Sequence, residues 1–133
     1  MIAFGVGFSS RCSEEALADL VGTVLAELEG EHGVSPTGGL LATAAHKRGS
    51  GLLEPVAARL DLQPVYADDR PMQAAQSQVL TDSAVARQAV GLGSVAEAAA
   101  MAVLSHDRRL IIPMRRAALA TCAAATGSPR SQS

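Results

Sequence analysis

Ile2-Ala-Phe-Gly-Val-Gly-Phe8, then Ser9-Ser-Arg-Cys12, then Ser13-Glu-Glu-Ala-Leu-Ala-Asp-Leu-Val-Gly-Thr-Val-Leu-Ala-Glu-Leu28 is the stretch that decides the fold. Its first seven residues are apolar apart from Gly5 and Gly7, which reads as a strand buried on both faces. Ser13 is placed to cap a helix, with Glu14 and Glu15 in the first turn where the helix dipole favours negative charge. Leu17, Leu20, Val21, Val24, Leu25 and Leu28 then recur at intervals of three and four, a single helical stripe that ends near Gly30 or Gly33. A buried strand feeding an amphipathic helix is the opening of an α/β unit.

Working outward, residues 38–45 read as a second buried strand. His46-Lys-Arg-Gly-Ser-Gly51 reads as a basic turn, followed by a helix with Leu52, Leu53, Val56, Ala57 and Leu60 inward. Gln63–Ala67 is a short strand, and the polar stretch after it holds a weak helix near Met72–Val79. A helix from Ser83 to Val90 is expected next, then one with Val95, Ala98, Ala99, Ala102 and Val103 on one face. Leu110–Pro113 and Leu119–Ala125 close the sheet as antiparallel neighbours around residues 114–118. The expected fold is a three-layer α/β/α sandwich with a mostly parallel, mixed central sheet. It forms one domain over residues 1–126, with a disordered tail over 127–133.

Composition narrows the function. Apolar residues make up 48% of the 133, yet aromatics only 2%, so the core must interlock many small side chains. A net charge of −2 argues against non-specific nucleic-acid binding, and Phe4, Phe8 and Tyr66 are too few for a base-stacking platform. Cys12 and Cys122 lie far apart with no Cys/His spacing, so neither a metal, a disulfide nor a cofactor is expected. The start has no secretory leader pattern, and the apolar run from Ala98 to Leu104 is too short to cross a bilayer, so a cytoplasmic protein is expected.

Several motifs invite chemistry. Gly5-x-Gly7-x-x-Ser10 has serine where a dinucleotide fingerprint needs its third glycine, and the second strand ends in Ala44, Ala45 and His46 rather than an acid. The Phe8–Arg11 turn, just ahead of a helix, suits a carboxylate. Gly91-Leu-Gly93-Ser94-Val-Ala-Glu97 resembles a phosphate loop, but its Ser-x-x-Glu spacing is that of a capping box, in which Glu97 bonds the Ser94 amide. Cys12 and His46 form a conceivable nucleophile pair without an orienting third group; His32 and His106 read as solvated loop residues. Arg11, the His46-Lys47-Arg48 turn, and Arg115-Arg116 in the turn between the closing strands all fall at strand connections. In a chain of net negative charge they suggest a localised anion site, the plain alternative being solvated turns.

Four segments in this order resemble the CobE and CbiG C-terminal family of cobalamin (vitamin B12) biosynthesis. They are Gly5-Val-Gly-Phe8 with Ser13-Glu-Glu15; Leu41-Ala-Thr43 with Lys47 and Gly51-Leu-Leu53; Ser83-x-Val85 leading to Val90-Gly-Leu-Gly-Ser-Val-Ala-Glu-Ala-Ala-Ala100; and Ile112-Pro113 with Thr121-Cys-Ala-Ala124. They cover nearly the whole chain. The resemblance implies an α/β/α fold and a place in corrin ring construction, in the stand-alone form associated with the aerobic pathway. CbiG proteins open the δ-lactone of a cobalt-containing precursor and release acetaldehyde. Two departures stand out: Gly49 and Ser50 occupy the place where an acidic residue commonly follows the family lysine, and Arg115-Arg116 replace lysine in the last turn.

Corrin precursors are polycarboxylates, so a site for them should offer cations and backbone amides over an apolar floor. The candidate substrate-binding residues are therefore Gly7, Ser10, Arg11, Thr43, His46, Lys47, Arg48, Gly93, Ser94, Arg115 and Arg116. A precorrin or corrinoid is the expected partner, with other pathway enzymes as further ones, and neither nucleic acid nor membrane. An accessory or carrier role is preferred to a hydrolase-like lactone opener. A small phosphate- or nucleotide-binding domain is the alternative outside the family.

Overall fold

The computed structural model describes residues 1–33, 35, 38–80, 92–105, 107–117 and 119–128. Its elements follow the chain as β1 (Ile2–Phe8), α1 (Glu14–His32), β2 (Leu40–Ala44), a 3-10 turn (Ala45–Ser50), α2 (Leu53–Arg59), β3 (Gln63–Ala67), α3 (Asp69–Leu80), α4 (Leu92–Ala102), β4 (Arg109–Arg116) and β5 (Ala120–Thr126). The expected helix over Ser83–Val90 lies outside the described residues, as does His106.

The sheet has five strands in the order β3-β2-β1-β5-β4. β1, β2 and β3 are parallel, while β5 runs antiparallel to both β1 and β4. β4 therefore points the same way as β1, and the carboxyl ends of β1 to β4 share one edge. Each sheet face has its own core. Phe4, Val6, Phe8, Leu41 and Cys122 meet Leu17, Val21, Val24 and Leu28 of α1 and Leu53 and Val56 of α2. On the other face Ala3, Ala42, Ala44 and Ala125 meet Met72 and Ala75 of α3 and Ala98 to Ala102 of α4. Burying each large aliphatic side chain of the first core contributes about 1.5–3 kcal/mol. The second core is built of small residues and depends on close approach. A Cβ at Gly5 would stand 1.9 Å from the Ala96 carbonyl oxygen and 2.4 Å from the Ala100 nitrogen, so glycine lets α4 lie directly on β1.

The ends of α1 match their sequence signals. Ser13 Oγ accepts from the Ala16 N–H, and Gly33 closes the helix in the left-handed region, its N–H donating to the Leu28 carbonyl. His32 is the last helical residue rather than a loop residue.

Three expectations need correction. Arg115 and Arg116 are not in a turn: β4 runs through both, opposite Cys122 and Thr121, and the hairpin closes only where the Ala117 N–H meets the Ala120 carbonyl at 2.9 Å. Glu97 reaches outside its own helix: α4 is described from Leu92, and the Glu97 carboxylate accepts from the Met114 N–H at 3.0 Å. Gly127 and Ser128 are not loose. The Gly127 N–H donates to the Met1 carbonyl at 3.1 Å, and the Ser128 carbonyl accepts from the Ser105 N–H at 2.8 Å.

Candidate functional site

The carboxyl edge of the sheet gathers most of the residues singled out in the sequence. β1 leads there into a turn whose organiser is Ser9 rather than Ser10. The Ser9 hydroxyl accepts from the Arg11 N–H at 3.0 Å, its carbonyl from the Cys12 N–H at 3.1 Å, and its own N–H reaches the Leu119 carbonyl at 3.0 Å. Ser10 and Arg11 are exposed on this turn. Gly7 is buried opposite Thr121, whose hydroxyl donates to the Gly7 carbonyl at 3.5 Å. Thr43 is fully buried, and its hydroxyl donates to the Val6 carbonyl at 2.8 Å, fastening the ends of β1 and β2 together.

After β2 the chain turns over the strand ends. Lys47 places Nζ 5.1 Å from the centre of the Phe8 ring, and the Arg48 guanidinium lies 5.1 Å from that of Tyr66. Gly51 ends the turn with φ +70, a backbone state that glycine adopts freely. His46 and Arg48 are exposed and Lys47 is half-buried.

Sequence reasoning missed the pair beneath Arg48. The Tyr66 hydroxyl donates to Glu54 Oε2 at 2.6 Å. Burial, then this bond, push the tyrosine up to about 12, and the same bond holds the Glu54 carboxyl below the usual range. The two residues are twelve apart on different elements, and no spacing rule links them.

At the other side, Arg115 makes a two-pronged pair with Glu27 of α1, Nε to Oε1 at 3.1 Å and the terminal nitrogen to Oε2 at 2.6 Å. That bond lowers the Glu27 pKa and raises that of Arg115. Arg116 follows it and, by strand alternation, faces the α4 side of the sheet, where it is exposed. The N-terminal turn of α4, with Gly93 and Ser94, lies at this same edge: Glu97 bonds Met114 near the end of β4, while Met101 and Leu104 meet Arg108 at its start.

The structure thus brings Arg11, His46, Lys47, Arg48 and Arg116 to one edge but divides them between its faces. Lys47 and Arg48 sit on aromatic rings of the α1/α2 side, and Arg116 lies on the α4 side. β2 and β4 are three strand steps apart, on the order of 14 Å. Among the described residues, Arg11, Lys47, Arg48 and Arg116 form no ion pair, whereas Arg59 pairs with Glu14 and Arg115 with Glu27. Cys12 is buried, its thiol donates to the Ser13 carbonyl at 3.5 Å, and burial pushes its pKa up, so it is protonated and unsuited to nucleophilic attack. Among the described residues no cluster of three His, Cys, Asp or Glu is placed to hold a metal ion.

The class defined here is an open-sheet α/β/α sandwich with a cationic edge at the carboxyl ends of its strands. The chain belongs to the Cobalamin synthesis G C-terminus family, whose model matches residues 2–125. It is thereby a member of a cobalamin biosynthesis protein family. One solved structure similar to it is CobE, described as a protein from the cobalamin (vitamin B12) biosynthetic pathway. That protein is 28% identical, with a TM-score of 0.72, over 98% of this chain and 93% of that one. The fold is also that of cobalamin biosynthesis protein chiG from Agrobacterium tumefaciens str. C58, at 23% identity and a TM-score of 0.63 over 96% and 99% of the two chains. No curated protein sequence matches the chain significantly. No described helix is long and apolar enough to cross a membrane.

Proposed function

We propose that this protein binds a precorrin or corrin-type tetrapyrrole intermediate of cobalamin biosynthesis at the carboxyl edge of its sheet, in an accessory or carrier role. The observation that carries the reading is the set of four cations, Arg11, Lys47, Arg48 and Arg116, held at one edge without carboxylate partners among the described residues. A macrocycle rimmed with carboxylates spans such an edge, its arms meeting Lys47 and Arg48 on one side and Arg116 with the Gly93 and Ser94 amides on the other. Arg115, committed to Glu27, braces β4 in this scheme. Thr43 and Gly7 support the site from below. A cytoplasmic setting accompanies the reading, in keeping with two free, buried thiols.

Holding is favoured over turnover because Glu54 and Glu97 are engaged, Glu54 with Tyr66 and Glu97 with Met114, while Asp68 and Asp69 past the end of β3 stand exposed. A lactone-opening activity is the second reading, and the Glu54–Tyr66 pair beside Arg48 is where its acid–base step belongs. Acetaldehyde released from a lactone-bearing precursor would decide for it.

The deciding experiment is a titration with hydrogenobyrinic acid followed by visible absorbance. Micromolar or tighter binding is expected, weakening steeply with salt because exposed charges are screened within about 8–10 Å at physiological ionic strength. Neutralising Lys47 together with Arg116 should weaken binding at least about tenfold, since each partly shielded charged hydrogen bond contributes about 1.5–3 kcal/mol. Arg59, paired to Glu14, and Arg109, exposed at the start of β4, are the matched controls. Equal losses from the controls would reduce the effect to general charge attraction, and no loss from Lys47 and Arg116 would move the site elsewhere.

A further inference from the structure

The end of β4 is an awkward piece of backbone. It is an edge strand, its pairing with β5 slips between Leu110 and Ile112 and again between Ile112 and Arg115, and the second slip contains Pro113, which has no N–H. Met114 lies within that slip and has no partner in the β4–β5 register. Glu97, half-buried on α4, accepts from its N–H at 3.0 Å. Immediately afterwards the pairing resumes at Arg115 and Arg116. Arg115 is fixed on the α1 face by its two hydrogen bonds to Glu27, so alternation turns Arg116 to the α4 face, the face from which Glu97 reaches. The end of β4 is therefore held from two helices, by Glu27 from one side and Glu97 from the other.

From this geometry, and resting on the ligand site proposed above, we infer that Glu97 is a positioning residue: its bond to Met114 sets the bulge of β4 so that Arg116 is presented to an anionic ligand beside the N-terminal turn of α4. Within the slip between Ile112 and Arg115 no registered pair fixes the strand, and an N–H held by a helix carboxylate supplies a constraint there. Glu97 meets no ligand atom in this scheme and acts only through Arg116.

A double-mutant cycle tests it, with hydrogenobyrinic acid as the probe. Glu97→Ala should weaken binding about five- to tenfold, the scale of coupling between residues acting through one structural unit. Glu97→Gln, whose amide oxygen accepts the same bond, should stay within about twofold of the parent. In an Arg116→Ala background, Glu97→Ala should cost nothing further, whereas in a Lys47→Ala background it should cost its full amount. In the ligand-free protein, amide exchange at Met114 should quicken in Glu97→Ala and not in Glu97→Gln, a readout that survives even if the alanine variant is less stable. Additive losses in both backgrounds, failure of the glutamine to rescue, or tighter binding by Glu97→Ala (relief of charge repulsion) would each overturn the inference. Unchanged binding by Arg116→Ala alone would instead overturn the ligand site itself, and the inference with it.

Discussion

The ammonium of Lys47 stands 5.1 Å above the ring of Phe8, a residue that is itself 1% exposed. The turn after β2 is thereby fastened to the end of β1, and the neighbouring Arg48 fastens it to β3 through Tyr66. Two of the chain's three aromatic residues are spent beneath cations in this way. Removing the charge through Lys47→Met should lower stability by about 0.5–1 kcal/mol, since the contact is partly solvated. Phe8→Ala should cost about 3–5 kcal/mol, because it also empties the first core. Urea unfolding of both variants separates the contributions, and equal losses would show that the cation adds as much as the buried ring.

Gly5→Ala should destabilise by about 3 kcal/mol or more. The added methyl would meet backbone atoms of α4 at 1.9 and 2.4 Å, which no side-chain rotation relieves. Gly22→Ala is its counterpart. That helical position has nothing within 4 Å of the added carbon, so the change should stabilise by about 0.5–1 kcal/mol. Melting temperatures moving in opposite directions would bear this out; a tolerated Gly5→Ala would mean that α4 does not rest on β1 as described.

Stability should fall with acid partly through Glu27. Its folded pKa lies below its unfolded value, so its contribution is complete above the ordinary glutamate range and disappears as pH falls through the lowered folded value. Glu27→Gln should flatten that acid limb and leave the profile near neutrality parallel to the parent's. Denaturant unfolding across the acid range is the measurement, and superimposable slopes would disprove the contribution of the Arg115 pair.

Tyr66 is the chain's single tyrosine, so its phenolate absorbance titrates without interference. The transition should centre near 12, and the fold should lose stability as pH rises from the ordinary tyrosine value toward it, because the folded state holds the proton more tightly. Glu54→Gln should lower that midpoint only in part, since burial is the larger cause. An ordinary midpoint in the parent protein would rule out the Glu54 bond.

Periodicity made the scaffold legible. The α1 stripe and its Ser13 cap stand where the residues placed them, Gly33 is the end taken of the two offered, Gly30 and Gly33, and β1 and β3 have the boundaries read from the sequence. Long, regular, capped patterns are local, and local energetics suffice to fix them. The end of β4 was not legible for the opposite reason. Arg115-Arg116 reads as a turn because it is charged and lies between two apolar runs, yet both residues pair with β5 and Glu27, eighty-eight residues away, takes the Arg115 charge. Glu97 was read only within its own helix, whereas the partner described for it, the Met114 N–H, is set by the packing of α4 against β4. The cationic edge was legible as charge at strand connections, whereas the division of Lys47 and Arg116 between two faces needed the strand order and register.

The domain is also closed at its base. The Met1 carbonyl accepts both the Gly127 N–H at 3.1 Å and the Thr126 hydroxyl at 3.3 Å, at the end of the sheet opposite Lys47 and Arg116. Seven residues of β1 separate the two ends, about 20 Å at strand rise. An affinity tag, fluorophore or fused neighbour joined at Met1 or Ser128 would leave from the edge opposite the one that carries Lys47 and Arg116. Ser128 and Met1 are also near enough in space for the chain to be joined there and reopened elsewhere, a circular permutation that would keep the sheet order intact.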